Sequence, residues 1–155
     1  MNINHIHPML VHFPIVLLVI CGCISSTLLV TKVNFTERRP LPLVNAIALF
    51  TGLACALLAA QFGDIALDAA VEKGFPPAPL EEHEELASLT IAAFSVLSAA
   101  LLVAFWKRIP VQGGRAIIFV GVLYIAIGLL LATAYRGGEL VYHYGVHVEG
   151  IVPGK

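Results

Sequence analysis

Histidine is the residue type in this sequence best suited to binding a metal ion or a haem iron. The six histidines lie near the amino terminus, at the middle of the 155-residue chain and near the carboxyl terminus, as His5, His7, His12, His83, His143 and His147. A neutral imidazole is a ligand for haem iron and for Zn, Cu, Fe or Ni ions. These residues form a site only if the fold brings the three parts of the chain together.

The composition indicates a membrane protein. Hydrophobic residues make up 59% of the chain and charged residues only 12%, whereas a soluble domain has about 25% charged residues. The formal net charge is -1, which gives no electrostatic reason to expect a nucleic-acid partner. Cys21, Cys23 and Cys55 lie inside apolar runs, where free thiols usually pack as small apolar groups.

Four apolar runs are long enough to cross a bilayer as helices. They cover residues 9–30, 43–62, 86–106 and 116–135, and none contains Lys, Arg, Asp or Glu. A bilayer core needs about 20 apolar residues as helix, and lipid offers no partner to a free peptide group. The sequence therefore predicts an all-α fold, a four-helix transmembrane bundle that forms a single membrane domain over residues 1–155. Gly52, Gly63, Gly121 and Gly128 predict faces where helices pack closely.

The charges predict the direction of the spans. Six of the nine basic residues fall in the first and third connections, as Lys32, Arg38, Arg39, Lys107, Arg108 and Arg115. Cytoplasmic loops carry such an excess of Lys and Arg. Both termini, all six histidines and nine of the ten acidic residues are therefore predicted on the periplasmic side of a bacterial inner membrane.

Antiparallel packing should bring several histidines to one depth. The starts of the first and third helices meet the ends of the second and fourth in such a bundle, and an ionisable group in a span is a functional hypothesis by default. We predict His12 and His83 as the axial ligands of a haem iron. His7 and His143 are alternative ligands.

Arg136 is the cation nearest to that depth on the histidine side. Its guanidinium fits a haem propionate as a partner. It fits equally well an ion pair with Asp64, or a position at the membrane interface where long basic side chains reach the headgroups.

Three functions fit these residues. The first is a membrane b-type cytochrome that binds haem b and carries electrons between the quinol pool, or a membrane partner, and a periplasmic carrier. The second is a periplasm-facing site for a Cu, Zn or Fe ion, formed by the histidines with Asp64, Glu84 and Glu139. The third is a structural subunit of a respiratory complex. No catalytic motif is present, so we predict no catalytic residues and favour an electron-transfer subunit over a stand-alone enzyme.

The run from His7 to Ile15, HPMLVHFPI, resembles the opening of DUF2231, a family of small four-helix bacterial membrane proteins. The HEELA segment from His83 to Ala87 and the GGELVY segment from Gly137 to Tyr142 are similar as well. The resemblance covers nearly the whole chain and implies an inner-membrane protein with four spans and outward histidines. Members often occur beside c-type cytochromes and Rieske proteins, which implies electron transfer with such partners. His7, His12 and His83 fall on motif positions, whereas at His147 the family more often has a small residue.

Overall fold

The computed structural model describes residues 6–146 and 148, and every regular element within them is a helix. The five helices, in chain order, are α1 Ile6–Leu10, α2 His12–Val30, α3 Pro40–Glu72, α4 Pro77–Trp106 and α5 Gly114–Tyr142. Four helical segments are long and apolar enough to cross a membrane, because α1 and α2 together act as one. The predicted fold class is confirmed, while the side of the membrane on which the termini lie stays a prediction.

A proline interrupts the backbone hydrogen bonding of the first span near its start. Pro14 has no backbone N–H to donate to the carbonyl of Leu10, so one hydrogen bond of the helix is missing there. Val11 nevertheless keeps a helical conformation, and its N–H donates to the carbonyl of His7 at 3.1 Å. α1 is therefore a short amino-terminal extension of α2, and His7 lies on this extension.

Three helices extend beyond their predicted apolar runs on the histidine side. α3 continues from residue 62 to Glu72, and α5 continues from residue 135 to Tyr142. α4 begins at Pro77, before the apolar run that starts at residue 86, which confirms the expectation from Pro79 and the acidic residues after it that this helix begins before His83. Proline suits the first turn of a helix, where its missing N–H would be unpaired in any case. The additional turns carry the charged residues, so the histidine end of the bundle projects from the apolar part.

The helices are arranged as a square. α2 packs against α3 and α5, and α4 packs against the same two neighbours, so α2 and α4 lie on opposite corners. Leu18, Leu49, Phe94 and Leu123, one from each long helix, are fully buried at the centre of the main core. A second, smaller core lies at the histidine end and contains Ala70, Phe75, Leu80, Leu140 and Val146.

Glycines allow close approach at only some of the predicted positions. A Cβ at Gly52 would lie 2.7 Å from the Leu18 side chain, and a Cβ at Gly63 would lie against the imidazole of His7. Gly121 and Gly128 have no other atoms within 4 Å of such a Cβ. The prediction of a packing face is therefore wrong for these two glycines, which face outward.

We expect Gly52→Val to lower the free energy of unfolding by about 1–3 kcal/mol, because the added methyl groups would overlap Leu18 in the main core. Thermal unfolding of the detergent-solubilised protein measures this change. Gly128→Val is the matched control, since it adds the same atoms where there is open space. Equal losses of stability in the two variants would contradict this packing.

Candidate functional site

His7 and His83 meet across the bundle. His7 lies on α1 and His83 in the second turn of α4, so they approach from opposite corners of the square. The centroids of the two imidazole rings are 6.4 Å apart and the rings are nearly perpendicular, at 85°. Both residues are half-buried. This is the place where the described part of the chain brings two of the predicted ligands together.

A backbone carbonyl orients the imidazole of His7. Its Nδ1 lies 2.7 Å from the carbonyl oxygen of Ala59 on α3. A carbonyl only accepts hydrogen bonds, so the proton of the neutral ring is on Nδ1 and the lone pair is on Nε2. Metal-binding histidines are commonly oriented in this way, with one nitrogen donating to a carbonyl and the other free for the metal.

Gly63 provides the space that the His7 ring occupies. It lies four residues after Ala59, one turn further along the same face of α3. A Cβ built on Gly63 would be 3.0 Å from Cε1 and 3.1 Å from Nδ1 of His7. Any larger residue at this position would therefore push the ring away from the Ala59 carbonyl.

The imidazole of His83 has a similar neighbourhood on α5. The backbone carbonyl of Thr133 faces the ring, and a Cβ built on Gly137, four residues later, would be 3.1 Å from Cε1 of His83. Nδ1 of His83 is nevertheless buried and has no hydrogen-bond partner among the residues that the structure describes. Buried polar atoms usually have partners, and the carbonyl of Thr133 is the acceptor that lies near this ring.

The separation of the two rings matches the size of one metal centre. A bond from imidazole nitrogen to a metal is about 2.0–2.1 Å long, and the ring centroid lies about 1.1 Å behind the nitrogen. Two imidazoles on opposite sides of one metal thus have centroids about 6.3 Å apart, by the same bond lengths. A direct edge-to-face contact of two rings falls in the same range of about 4.5–7 Å. The distance is compatible with both situations.

His12 lies on a different face from His7. The two residues are five positions apart along a nearly continuous helix, which turns their side chains about 140° from each other. Because His7 points into the bundle, His12 is exposed on its outer surface. The structure therefore brings His7 against His83, and it does not place His12 in the same arrangement.

His143, near the carboxyl terminus, is separate from the pair. His143 directly follows α5, is exposed, and packs edge-to-face against Tyr144 with ring centroids 4.8 Å apart. His147, like His5 at the other terminus, lies outside the described residues. Any contribution of these two residues to the site stays a prediction.

Arg136 is bound by two carboxylates. Its guanidinium lies 2.8 Å from an Oε2 of Glu139, one turn along α5, and 3.6 Å from Oε2 of Glu82 on α4. The sequence offered an ion pair with Asp64 as one alternative for Arg136. The structure contains an ion pair, but its acidic partners are Glu139 and Glu82. Arg136 thus links α4 to α5 at the depth of His83.

The predicted acidic metal ligands do not join the histidines. Asp64 and Glu84 are exposed, and Glu139 is paired with Arg136. In residues 6–146 and 148, no group of three or more His, Cys, Asp or Glu side chains is placed to hold a metal ion. A ligand between His7 and His83 would therefore take two protein ligands from the described residues.

Two surface depressions at the histidine end of the bundle do not include the pair. One of about 480 Å³ is lined by Ala134, Tyr135, Gly138, Glu139, Tyr142 and His143. The other, of about 710 Å³, is lined by Glu81, Glu84, Glu85, Ser88, Leu89 and Ala92. Both are open to the outside and neither is lined by His7 or His83.

Sequence reasoning did not identify the residues that support the two imidazoles. A Gly-Gly dipeptide such as Gly137-Gly138 is typical of a turn and predicts one here, but this prediction is wrong, because α5 continues through both residues to Tyr142. Gly63 was expected to pack against another helix, and its neighbour proves to be a histidine ring. The carbonyls of Ala59 and Thr133 have no signature in the sequence, since every residue carries the same group.

Comparison with known proteins identifies a family and no closer relative. The family described as "Predicted membrane protein (DUF2231)" matches residues 4–150. No curated protein and no solved structure matches the chain.

We expect His7→Ala to lower the free energy of unfolding by about 1–2 kcal/mol, because it removes the hydrogen bond to Ala59 and the packing of the ring. His12→Ala should change it by less than about 0.5 kcal/mol, as is usual for exposed positions. Thermal unfolding of the two variants in the same detergent makes the comparison. A larger loss in His12→Ala would contradict the placement of these side chains.

Proposed function

We propose a function for this chain, which belongs to the DUF2231 family of predicted membrane proteins: it binds one haem b between His7 and His83 and transfers single electrons. The observation that carries the proposal is the pair of half-buried imidazoles, which approach from opposite corners of the bundle to a centroid distance of 6.4 Å. His7, which the sequence offers as an alternative ligand, takes the place of His12 in this assignment.

The number of available ligands favours haem iron over a bare metal ion. A zinc site normally uses three or four protein ligands, whereas a haem iron takes four nitrogens from its own macrocycle and only axial ligands from the protein. The described residues offer two imidazoles at this place and no third metal-binding side chain in a cluster. Two histidines from different helices are the donor set of a b-type cytochrome.

The protonation and burial of the two rings suit axial ligation. The hydrogen bond from Nδ1 of His7 to the Ala59 carbonyl leaves Nε2 with a free lone pair, and the Thr133 carbonyl gives the His83 ring an acceptor of the same kind.

The position of the site suits the polar edge of a haem. His83 lies just before the apolar run that begins at Leu86, so the propionates would lie near the membrane surface. Arg136, now paired with Glu82 and Glu139, would bind a propionate by exchanging one carboxylate partner for another. Such charge-assisted contacts are among the stronger hydrogen bonds in proteins.

The close packing around the pair supports a second candidate, a single Cu, Zn or Fe ion held by the same two imidazoles. Gly63 and Gly137 contact the rings closely, and neither surface depression reaches them. A bare ion fits between two rings at this distance, whereas a macrocycle needs the helices to separate at this end. The two candidates therefore differ in how much the bundle must open.

A haem at this site would make the chain an electron-transfer subunit rather than a stand-alone enzyme. The haem supplies one-electron chemistry, while the protein sets its potential through the axial ligands and the surrounding polarity. A quinol, a c-type cytochrome or a Rieske-type protein would be the exchange partner at the surface of the inner membrane. The four apolar spans fit this role, because they hold the site at the edge of the lipid.

The test is an absorption spectrum of the full chain extracted from membranes, recorded oxidised and reduced. We expect a Soret band, a pyridine haemochrome typical of haem b, and about one haem per chain. His7→Ala and His83→Ala should each lose most of the bound haem, since each removes one axial ligand. His12→Ala and His143→Ala are matched controls that should keep it, because both residues are exposed.

Elemental analysis of the same samples distinguishes the alternatives. One metal ion per chain without a porphyrin, lost in His7→Ala and His83→Ala, would replace the haem by the second candidate. A protein that contains neither haem nor metal after expression with both supplied would refute both, and would leave the role of a structural subunit.

A further inference from the structure

α2 and α4 have the same pattern of burial. The buried residues of α2 are Pro14, Leu18, Cys21, Gly22, Ser25 and Leu28. A constant offset in residue number that makes Pro14 correspond to Thr90 makes these residues correspond, in order, to Thr90, Phe94, Leu97, Ser98, Leu101 and Ala104. These are all the buried residues of α4 except Leu80, which lies in the first turn of that helix. The two helices therefore present equivalent faces to the centre of the bundle, with no insertion between the patterns.

The two helices also end in the same way. We call the offset that makes Pro14 correspond to Thr90 the α2–α4 shift. It also makes the last residue of α2, Val30, correspond to the last residue of α4, Trp106. It likewise brings Lys32 onto Arg108. These two are the non-glycine residues with positive φ in the described chain, and both have φ 55°. The same strained left-handed conformation therefore occurs at the same point of each turn.

α3 and α5 are related by a slightly shorter shift, which brings the first residue of α3, Pro40, onto the first residue of α5, Gly114. Six of the ten buried positions of α3 are Pro42, Asn45, Ala46, Leu49, Gly52 and Ala66. This α3–α5 shift brings them onto Ala116, Phe119, Val120, Leu123, Ala126 and Leu140, which are buried residues of α5. The helical hairpin of α1 to α3 thus matches the hairpin of α4 and α5.

Two contacts join equivalent positions of the hairpins. The α2–α4 shift brings His7 onto His83, and these two residues pack ring against ring. It also brings Phe35 onto Val111, and the N–H of Phe35 donates to the carbonyl of Val111 at 3.1 Å. A residue can contact its own equivalent only near a twofold axis. The two contacts lie at opposite ends of the bundle, so this approximate axis runs along it, as in other membrane proteins built from parallel repeats.

The supports of the two histidines obey the same relation. The α3–α5 shift brings Ala59 onto Thr133, and the carbonyls of these two residues face the rings. It also brings Gly63 onto Gly137, the glycines whose missing side chains make room for the rings. Each histidine is supported by the second long helix of its own hairpin.

We propose that the chain consists of two structural repeats, and that each repeat supplies one half of the ligand site: a histidine, a carbonyl that faces it and a glycine that admits it. Gly63 positions His7, and Gly137 positions His83. The proposal deepens the proposed function and rests on it for the identity of the ligand, because a ligand on the axis would have two equivalent imidazoles. The pairing of each glycine with the histidine of its own repeat rests on geometry alone.

Double-mutant cycles on stability test the pairing without any bound ligand. Gly63→Ala should lower the apparent Tm by about 2–4 °C, because the new Cβ would lie 3.0 Å from the His7 ring. In a His7→Ala background the same change should raise the Tm, since alanine is a better helix former than glycine and the ring is gone. If Gly63→Ala alone prevents folding, a folded protein with both Gly63→Ala and His7→Ala would show the same pairing.

The second repeat should behave identically. Gly137→Ala should lower the Tm in the native chain and raise it in His83→Ala. In the crossed combinations, Gly63→Ala in His83→Ala and Gly137→Ala in His7→Ala, the glycine substitution should still lower the Tm. Gly121→Ala is the control that lowers the Tm in no background, because its Cβ meets open space.

Crossed combinations that rescue as well as the matched ones would overturn the half-site pairing, as would a Gly63→Ala loss that His7→Ala leaves unchanged. Ligand content is measured on the same proteins. If haem or metal is bound, Gly63→Ala and Gly137→Ala should reduce it by similar factors, and a large effect of one without the other would overturn the equivalence. If none is bound, the stability cycles still decide the pairing, so failure of the ligand assignment is recognised separately.

Discussion

The hydrogen bond between the His7 imidazole and the carbonyl of Ala59 shows the constraint under which this bundle is built. Lipid offers no partners to polar groups, so the protein must satisfy an imidazole that points inward. A carbonyl in a helix can accept a second hydrogen bond, and Gly63 lets the ring come close enough to use it. The contact also leaves one nitrogen of the ring free, which is what a metal ligand requires.

The same constraint explains why the site lies at one end of the bundle. Inside the spans, the polar residues Cys21, Ser25 and Asn45 are hydrogen-bonded to each other, and the surrounding core cluster is apolar. At the histidine end, charges appear where α3, α4 and α5 extend beyond the apolar part, and there Arg136 pairs with Glu82 and Glu139. The two half-buried imidazoles lie between these regions, so a bound ligand would place its polar edge toward the charged end.

The repeated hairpin gives a physical reason for the meeting of two histidines. In a square of four helices, side chains from opposite corners meet only on the central axis, and equivalent positions of two repeats meet there by symmetry. One favourable arrangement of a histidine, a carbonyl and a glycine therefore produces a facing pair when it occurs twice. The Phe35–Val111 hydrogen bond at the other end has the same origin.

The sequence by itself determined the four spans and the convergence of histidine-bearing helix ends, because apolar runs of about 20 residues have no other stable form in a bilayer. It predicted the early start of α4 from Pro79 and the acidic residues that follow, and it left the extra turns of α3 and α5 undecided, since charged residues outside the lipid are compatible with helix or loop. The choice of His7 rather than His12 as the neighbour of His83 depended on the rotation of the first helix, which hydropathy does not report when both faces are apolar. Only the tertiary structure decided that Ala59, Gly63, Thr133 and Gly137 hold the two rings. The role of a backbone carbonyl or of a missing side chain depends on the group that packs against it, and the sequence does not report that group.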